Sequence, residues 1–454
     1  MKAGFGKFVI TPPVGSSLCG YFQDRRSVDV RDNLYASCVV FDDGKNIFVI
    51  VSCDLIYIPE NVAEKIKEIL WKDERIKRKN ILIHATHTHT GPVLDEDPIY
   101  TKGFYIEKSY LEVLPFYIAS SVKIALNRRQ EVKVAVGKSK VDGISFNRRY
   151  FMKDGQVITN PFNQIENIVK PAGPVDNTLI FLKITDRKGR LKGLIVNFAL
   201  HPDTLGDNLI SSDWPGFLRD ELKEEFGDIF VIVLNGPSGD INHINPFDYK
   251  TRSENIGKKI AGKIKEKIKK KINVKEKSVK HISPFYIPLR FNYRKITEEE
   301  YRQAEKILEK EKRNSLKYMI ASGIVEIYKE KRKNKNIKVS INGLKIGKDT
   351  IIFGLPGEIF AEIGIKIKKL SGLKNTIIAQ NSNYKTGYIP TKKAFKQFEN
   401  NLKIKEIEDV NLSEAIGINT SYETLPMASK VSKDTERKIY TAILKIVKST
   451  GSSS

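Results

Sequence analysis

Residues 81–92, ILIHATHTHTGP, constrain the fold more than any other stretch of the chain. The apolar run Ile81, Leu82 and Ile83 has the length of a buried strand, and Gly91-Pro92 stops it where a loop must turn. Side chains alternate across a strand, so an extended segment sends His87 and His89 to one face and His84 to the other. Neutral imidazole is the commonest protein ligand for zinc, and two on one face make half a site. A lone histidine in a threonine-rich loop is more often structural. Here, however, the chain has six histidines in all, and half of them fall within six residues.

The same arrangement recurs along the chain: an apolar run opens into a polar, Pro- or Gly-marked loop that carries a chemically capable side chain. The run 46–53 ends at Asp54, and 193–199 delivers His201 through NFALHPDTLG. The run 229–234 opens into NGPSGDINHIN, which holds Asp240, Asn242 and His243. Residues 350–353 lead to Pro356-Gly357, after which Glu358 is expected to begin a helix as an exposed acid. A loop at 381–391, NSNYKTGYIPT, holds Tyr384 and Tyr388. The glycines of 235–245 make only a weak phosphate cradle, because the P-loop lysine and the Rossmann spacing are both missing.

The elements between these loops read as α/β. Runs at 35–41 and 46–53 form a hairpin through Asp42-Asp43-Gly44. A helix at 59–71 then precedes the strand from residue 81, which suggests a right-handed crossover. Helices are expected at 107–126, 217–225, 251–272 and 434–448. Further strands are expected at 7–10, 132–137, 179–184, 279–292, 339–346 and 376–379. One long helix is expected at 297–332, with a break at Gly323, inside a Lys-rich helical insertion at about 293–337. A disordered tail is expected at 450–454. The fold class is α/β, layered mixed sheets with flanking helices, in one domain over residues 1–454.

A formal charge of +24 raises the question of nucleic acid. Much of it lies in two tracts, 258–280 and 310–338. In the first, Ile256, Ile260, Ile264, Ile268 and Ile272 recur every four residues, which is one apolar stripe with long solvated lysines around it. That tract has no interleaved aromatics, no zinc-finger spacing and no recognition helix, so a solvated face is the better reading and no nucleic-acid partner is expected. Abundant Lys, Glu and Ile with few Met and Cys fit a hot environment. Cys19, Cys38 and Cys53 are odd in number and lack metal-ligand spacing. No stretch is long and apolar enough to span a membrane. The N-terminus lacks the core of a secretion signal, so the cytoplasm is the expected compartment. Whether the chain forms a homo-oligomer is left open.

From residues alone, His87, His201 and Glu358 could complete a three-ligand zinc site with an open position. Such a site brings the pKa of a bound water to about 7 and polarises a carbonyl oxygen. There is no HExxH or CxxC signature, and this reading ends at a metal hydrolase.

A longer series of motifs resembles the neutral/alkaline ceramidase family. It runs ITPPVGSSLCGY (10–21), CDL (53–55), HATHTHTGP (84–92), FALHP (198–202), SSDWPG (211–216), NGPSGDIN (235–242), LPGE (355–358) and GYIPT (387–391), in the family's order. The resemblance implies a zinc-dependent amide hydrolase with a catalytic α/β domain. It implies that His87, His201, Glu358 and Tyr388 bind zinc, and that His89 lies by the substrate carbonyl. It also implies that Arg148 helps hold the substrate, that Asp240 belongs to the catalytic loop, and that Tyr422 hydrogen-bonds the tetrahedral intermediate. Asn242 is expected near the substrate, where the family carries a serine. The family's C-terminal immunoglobulin-like domain is not expected. The expected activity is hydrolysis of an N-acyl amide by metal-activated water, on a small or lipid-like acylated substrate other than ceramide. The alternatives are an esterase or deacetylase acting on a small acylated metabolite or sugar, and a non-catalytic binding protein on the same scaffold.

Overall fold

The computed structural model describes residues 1–248, 253–271, 274–313, 315–409 and 420–451. Strands buried largely on both faces pair into an eight-stranded mixed sheet. Its order is Phe230–Asn235, Leu191–Phe198, Thr178–Asp186, Gln130–Lys140, Lys2–Val9, Tyr35–Asp42, Ile47–Cys53, Ile81–Ala85. A second sheet has the order Ile282–Phe291, Ile337–Ile346, Thr350–Gly354, Asn375–Ala379.

The period of two sorts the apolar side chains into layers. In Tyr35–Asp42 and Ile47–Cys53, Val39, Phe41, Phe48 and Ile50 enter one core, which also takes Leu344, Ile352 and Ile377 from the second sheet. The intervening Cys38, Val40, Val49 and Val51 enter another core with the helices Glu60–Glu74 and Lys108–Asn127. Trp214–Phe226 and Ser253–Lys269 cover the other half of the large sheet, and Ala361–Ser371 and Thr435–Gly451 cover the second sheet. The result is two facing sheets between outer helices, an α/β architecture of layered mixed sheets.

Parallel pairing within these two sheets, among the described residues, occurs at three places, each bridged by a helical crossover. Ile47–Cys53 pairs with Ile81–Ala85, Leu191–Phe198 with Phe230–Asn235, and Thr350–Gly354 with Asn375–Ala379. The carboxyl ends of these pairs meet. The Asn235 amide N–H donates to His84 Nε2 at 2.9 Å, and Asn235 Nδ2 donates to the Thr86 carbonyl at 3.1 Å. Asn197 Nδ2 donates across the sheets to the Ile378 carbonyl at 2.9 Å. Loops beyond such ends are where α/β folds gather their chemistry.

Several sequence expectations are corrected. The strand at 81 ends at Ala85, and His87 follows with φ 76°, so His87 and His89 are not on one face of a strand. The helix expected from residue 217 begins at Trp214, because the Asp213 carboxylate caps it. Glu358 does not start a helix. It lies in the short strand Glu358–Ile359, and the helix begins at Ala361. The expected long helix is two, Glu298–Lys310 and Leu316–Lys333. Ser315 caps the second, so the break falls before it and not at Gly323. A Cβ on Gly323 would lie 2.4 Å from the Met427 backbone nitrogen, so that glycine serves a close approach. The strand expected at 7–10 runs Lys2–Val9. Of the tail expected at 450–454, Thr450 lies in the last helix and 452–454 fall outside the described residues. Residues 251, 252 and 272 of the expected Lys/Ile helix also lie outside them.

Candidate metal centre

The loop after Ile81–Ala85 is held against the neighbouring strand end. The His87 amide N–H donates to the Leu55 carbonyl at 2.8 Å, and ring Nδ1 lies 2.7 Å from the Ile56 carbonyl. These two bonds sustain a left-handed backbone that a histidine seldom adopts. From the second crossover comes His201, whose Nδ1 lies 3.0 Å from the Ser238 carbonyl. A carbonyl only accepts, so in both rings Nδ1 carries the proton and Nε2 presents a lone pair. Those two Nε2 atoms are 3.0 Å apart. The third crossover supplies Glu358 Oε2, 3.1 Å from His87 Nε2 and 3.5 Å from His201 Nε2. Oε2 makes no hydrogen bond to a protein group.

Three acceptor atoms therefore crowd one buried point, an arrangement that only a cation relieves. Burial pushes the His87 imidazole down, but the Glu358 carboxylate outweighs it and holds the ring above its ordinary range. Burial likewise raises Glu358, and His87 with Arg148 pulls it back below the usual carboxylate value. Burial together with His87 drives His201 and His89 well down. A metal ion held between these atoms would relieve that crowding. His87, His89 and His201 form a group that could hold a metal ion, with ligand atoms all within 4.8 Å of one another. Glu358 Oε2 lies nearer to His87 and His201 than that bound, so it too could serve as a ligand beside them.

Tyr388 pairs with Glu358 in a parallel two-stranded ladder, which puts both side chains on one side. Its hydroxyl accepts from Arg148 Nη2 at 3.0 Å. Tyr384 is turned away, its hydroxyl 3.3 Å from Ser340 Oγ. Arg148 is buried and spent on three acceptors: Nε on Glu423 Oε1 at 2.7 Å, and Nη2 on the Gly239 carbonyl at 2.9 Å as well as on Tyr388. Nη1 is left over.

His89 stands on Gly20, where a Cβ would fall 2.5 Å from the ring. Its Nδ1 lies 3.5 Å from Asp203 Oδ1, and neither ring nitrogen makes a hydrogen bond. Asp203 also accepts from the Tyr21 hydroxyl. The Tyr422 hydroxyl is 3.3 Å from that of Tyr100, and its ring meets Tyr388 edge-on at 5.6 Å.

Asp240 uses one oxygen on the Ala361 amide N–H and the other on Asn147 Nδ2, both at 2.8 Å. It thereby anchors the start of Ala361–Ser371. Burial pushes its carboxyl up to about 6. Asn242 spends Oδ1 on the His243 and Ile244 amides, which makes it a turn residue; Nδ2 reaches Asn160 at 3.3 Å. Asp54 is also structural, because Arg219 grips both its oxygens at 3.0 and 2.7 Å. His84 has both nitrogens engaged, Nδ1 on the Gln380 carbonyl at 2.6 Å and Nε2 on Asn235, and burial lowers its pKa to about 3.

Four residues of this region escape the sequence reading. Asp203 stands two residues after His201 and Tyr21 closes the motif at 10–21, and these positions are signals that could have found them. Gln380, which accepts from the Ser238 and Ile359 amides through Oε1, and Glu423 carry no local signal.

The family model described as neutral/alkaline non-lysosomal ceramidase, N-terminal, matches residues 1–227. Among solved structures, neutral ceramidase from Pseudomonas aeruginosa superposes with a TM-score of 0.72 at 15% identity, covering 99% of this chain and 74% of that one. A structure described as ceramidase complexed with C2 gives 0.69 at 15% identity, with 98% and 74% coverage.

Proposed function

Because the chain belongs to the neutral/alkaline non-lysosomal ceramidase family, a family of hydrolases, we propose that it is a zinc-dependent hydrolase of N-acyl amides, with His87, His201, Glu358 and Tyr388 as the zinc ligands. The observation that carries this reading is the crowd of acceptors: two Nε2 lone pairs and a carboxylate oxygen separated by 3.0–3.5 Å. Ligand atoms around a tetrahedral zinc with bonds near 2.0–2.1 Å stand about 3.3 Å apart, which fits that spacing. A bound zinc ion would lower the pKa of a water to about 7 and polarise a carbonyl.

The protein groups divide the remaining work. Ile56 and Ser238 carbonyls hold the two imidazoles in the ligating tautomer. Arg148, pinned through Nε and Nη2, keeps Nη1 for the substrate oxygen. The Tyr422 hydroxyl donates to the oxygen on which charge develops. His89, its ring nitrogens unpaired, meets the substrate carbonyl, and Asp203 faces its Nδ1. Asp240 orients Asn147, the neighbour of Arg148, and the helix at Ala361. The substrate is an acylated amine other than ceramide, a reading supported by Asn242, which is a turn residue here where the family carries a serine. The cytoplasm is the proposed compartment, supported by three buried free cysteines.

The test is turnover of a fluorogenic N-acyl amide by protein stripped with a chelator and reloaded with zinc. Activity is expected to vanish on stripping, to return with zinc, and to be absent from His87→Ala. A His87→Ala protein that hydrolyses the amide at the wild-type rate contradicts the reading.

A further inference from the structure

Glu423 directly follows Tyr422 and has no role assigned to it, yet it is among the most deeply buried charges of the site, with no exposed side-chain surface. Its two oxygens are divided. Oε1 accepts from Arg148 Nε at 2.7 Å, and Oε2 accepts from Thr159 Oγ1 at 2.7 Å. A second guanidinium, that of Arg149, stands 3.9 Å away and is itself fixed by Ser421 and Gln397. Thr159 Oγ1 in turn accepts from the Tyr422 amide at 3.3 Å. Thr159 thus holds one end of the carboxylate, and the other end is the one that takes Arg148.

A guanidinium is a planar fork, so fixing Nε fixes the directions of both terminal nitrogens. With Nε on Glu423 and Nη2 shared between the Gly239 carbonyl and the Tyr388 hydroxyl, Arg148 cannot rotate. The chain of contacts runs from Thr159 through Glu423 and Arg148 to Tyr388. A lysine could not serve here, because its single ammonium cannot bridge these acceptors in fixed directions.

We propose that Glu423 is a positioning residue: acting through Arg148, it sets the Tyr388 hydroxyl toward the zinc site and leaves Arg148 Nη1 aimed at substrate. Glu423 itself touches neither metal nor substrate. The inference rests on the zinc reading above and adds to it a residue from the C-terminal part of the chain.

A plain structural role for a buried ion pair would lower stability without a specific effect on metal affinity. The experiment therefore reads zinc affinity, by competition with a chromophoric chelator, on folded protein at a temperature well below every variant's melting point. Glu423→Gln keeps the shape and removes the charge. It is expected to weaken zinc about tenfold, the scale of an outer partner of a ligand. In a Tyr388→Phe background, where the hydroxyl is gone, the same substitution should change zinc affinity by roughly twofold or less. If Glu423→Gln fails to fold, Arg148→Lys replaces it in the same cycle, with the same expected loss and the same expected silence beside Tyr388→Phe. Equal losses in the two backgrounds, or none in either, overturn the inference. A wild-type protein that takes up no zinc contradicts the metal-site reading itself, which separates the two failures.

Discussion

At the residue scale the site is tuned by contacts as small as one hydrogen atom. Gly20 has φ 110° and lies against the His89 ring, so the ring sits where any other residue would place a methyl group. Gly20→Ala should displace His89 by about an ångström and lower kcat on the order of 100-fold. Zinc content should be unchanged, because His89 is read as a substrate contact and not a ligand. Loss of zinc in that variant, measured by metal analysis, would place His89 among the ligands instead. The sequence already pointed to His87 and His201, because imidazoles are scarce in this chain and both follow apolar runs. It could not point to Glu423. An acid becomes a positioning group only through its partner, and that partner lies 275 positions away.

At the scale of elements, the loop from the first crossover to the helix Lys108–Asn127 closes one side of the site. It brings Tyr100 against Phe22 and Tyr422, with the Phe22 and Tyr100 rings stacked at 5.8 Å. Lys385 ties this loop down through Asp97 at 2.8 Å and Asp95 at 3.3 Å. Burial alone would raise the Asp97 carboxyl, but Lys385 and the Ile99 and Tyr100 amides outweigh it and hold the group below its ordinary value. A depressed folded pKa gives stability that is present above the unfolded value, about 3.9, and lost as pH falls through the folded one. Asp97→Asn should therefore cost about 2 kcal/mol near neutral pH, the scale of a hydrogen-bonded charge. Urea midpoints of the variant and wild type should converge below about pH 4; a gap that stays constant with pH would rule out the ion pair as its source. Strand existence was readable from apolar runs, while junctions were not. Leu355-Pro356-Gly357-Glu358 reads as a helix start because acids favour a first turn. Gly357 at φ 71° instead turns the chain so that Glu358 pairs with Tyr388.

At the scale of the molecule, the three parallel pairs are the devices that matter. Each crossover returns a strand in the same direction, so three loops open on one side and their side chains can meet. Two of these pairs belong to the large sheet and one to the second sheet, which makes the site a product of how the sheets face each other. An α/β class with layered sheets was legible from the alternation of strands and helices. The facing of the sheets was not, since it depends on the fit of Phe41, Phe48 and Leu82 against Leu344 and Ile352, far apart in sequence. The central claim is that this convergence builds one zinc site. Anomalous X-ray scattering at the zinc edge, from crystals of zinc-loaded protein, tests it most directly. One peak is predicted, about 2.0–2.2 Å from His87 Nε2, His201 Nε2, Glu358 Oε2 and the Tyr388 hydroxyl. A loaded crystal with no peak there, or with the ion bound by His89 and not by Glu358, would contradict the account.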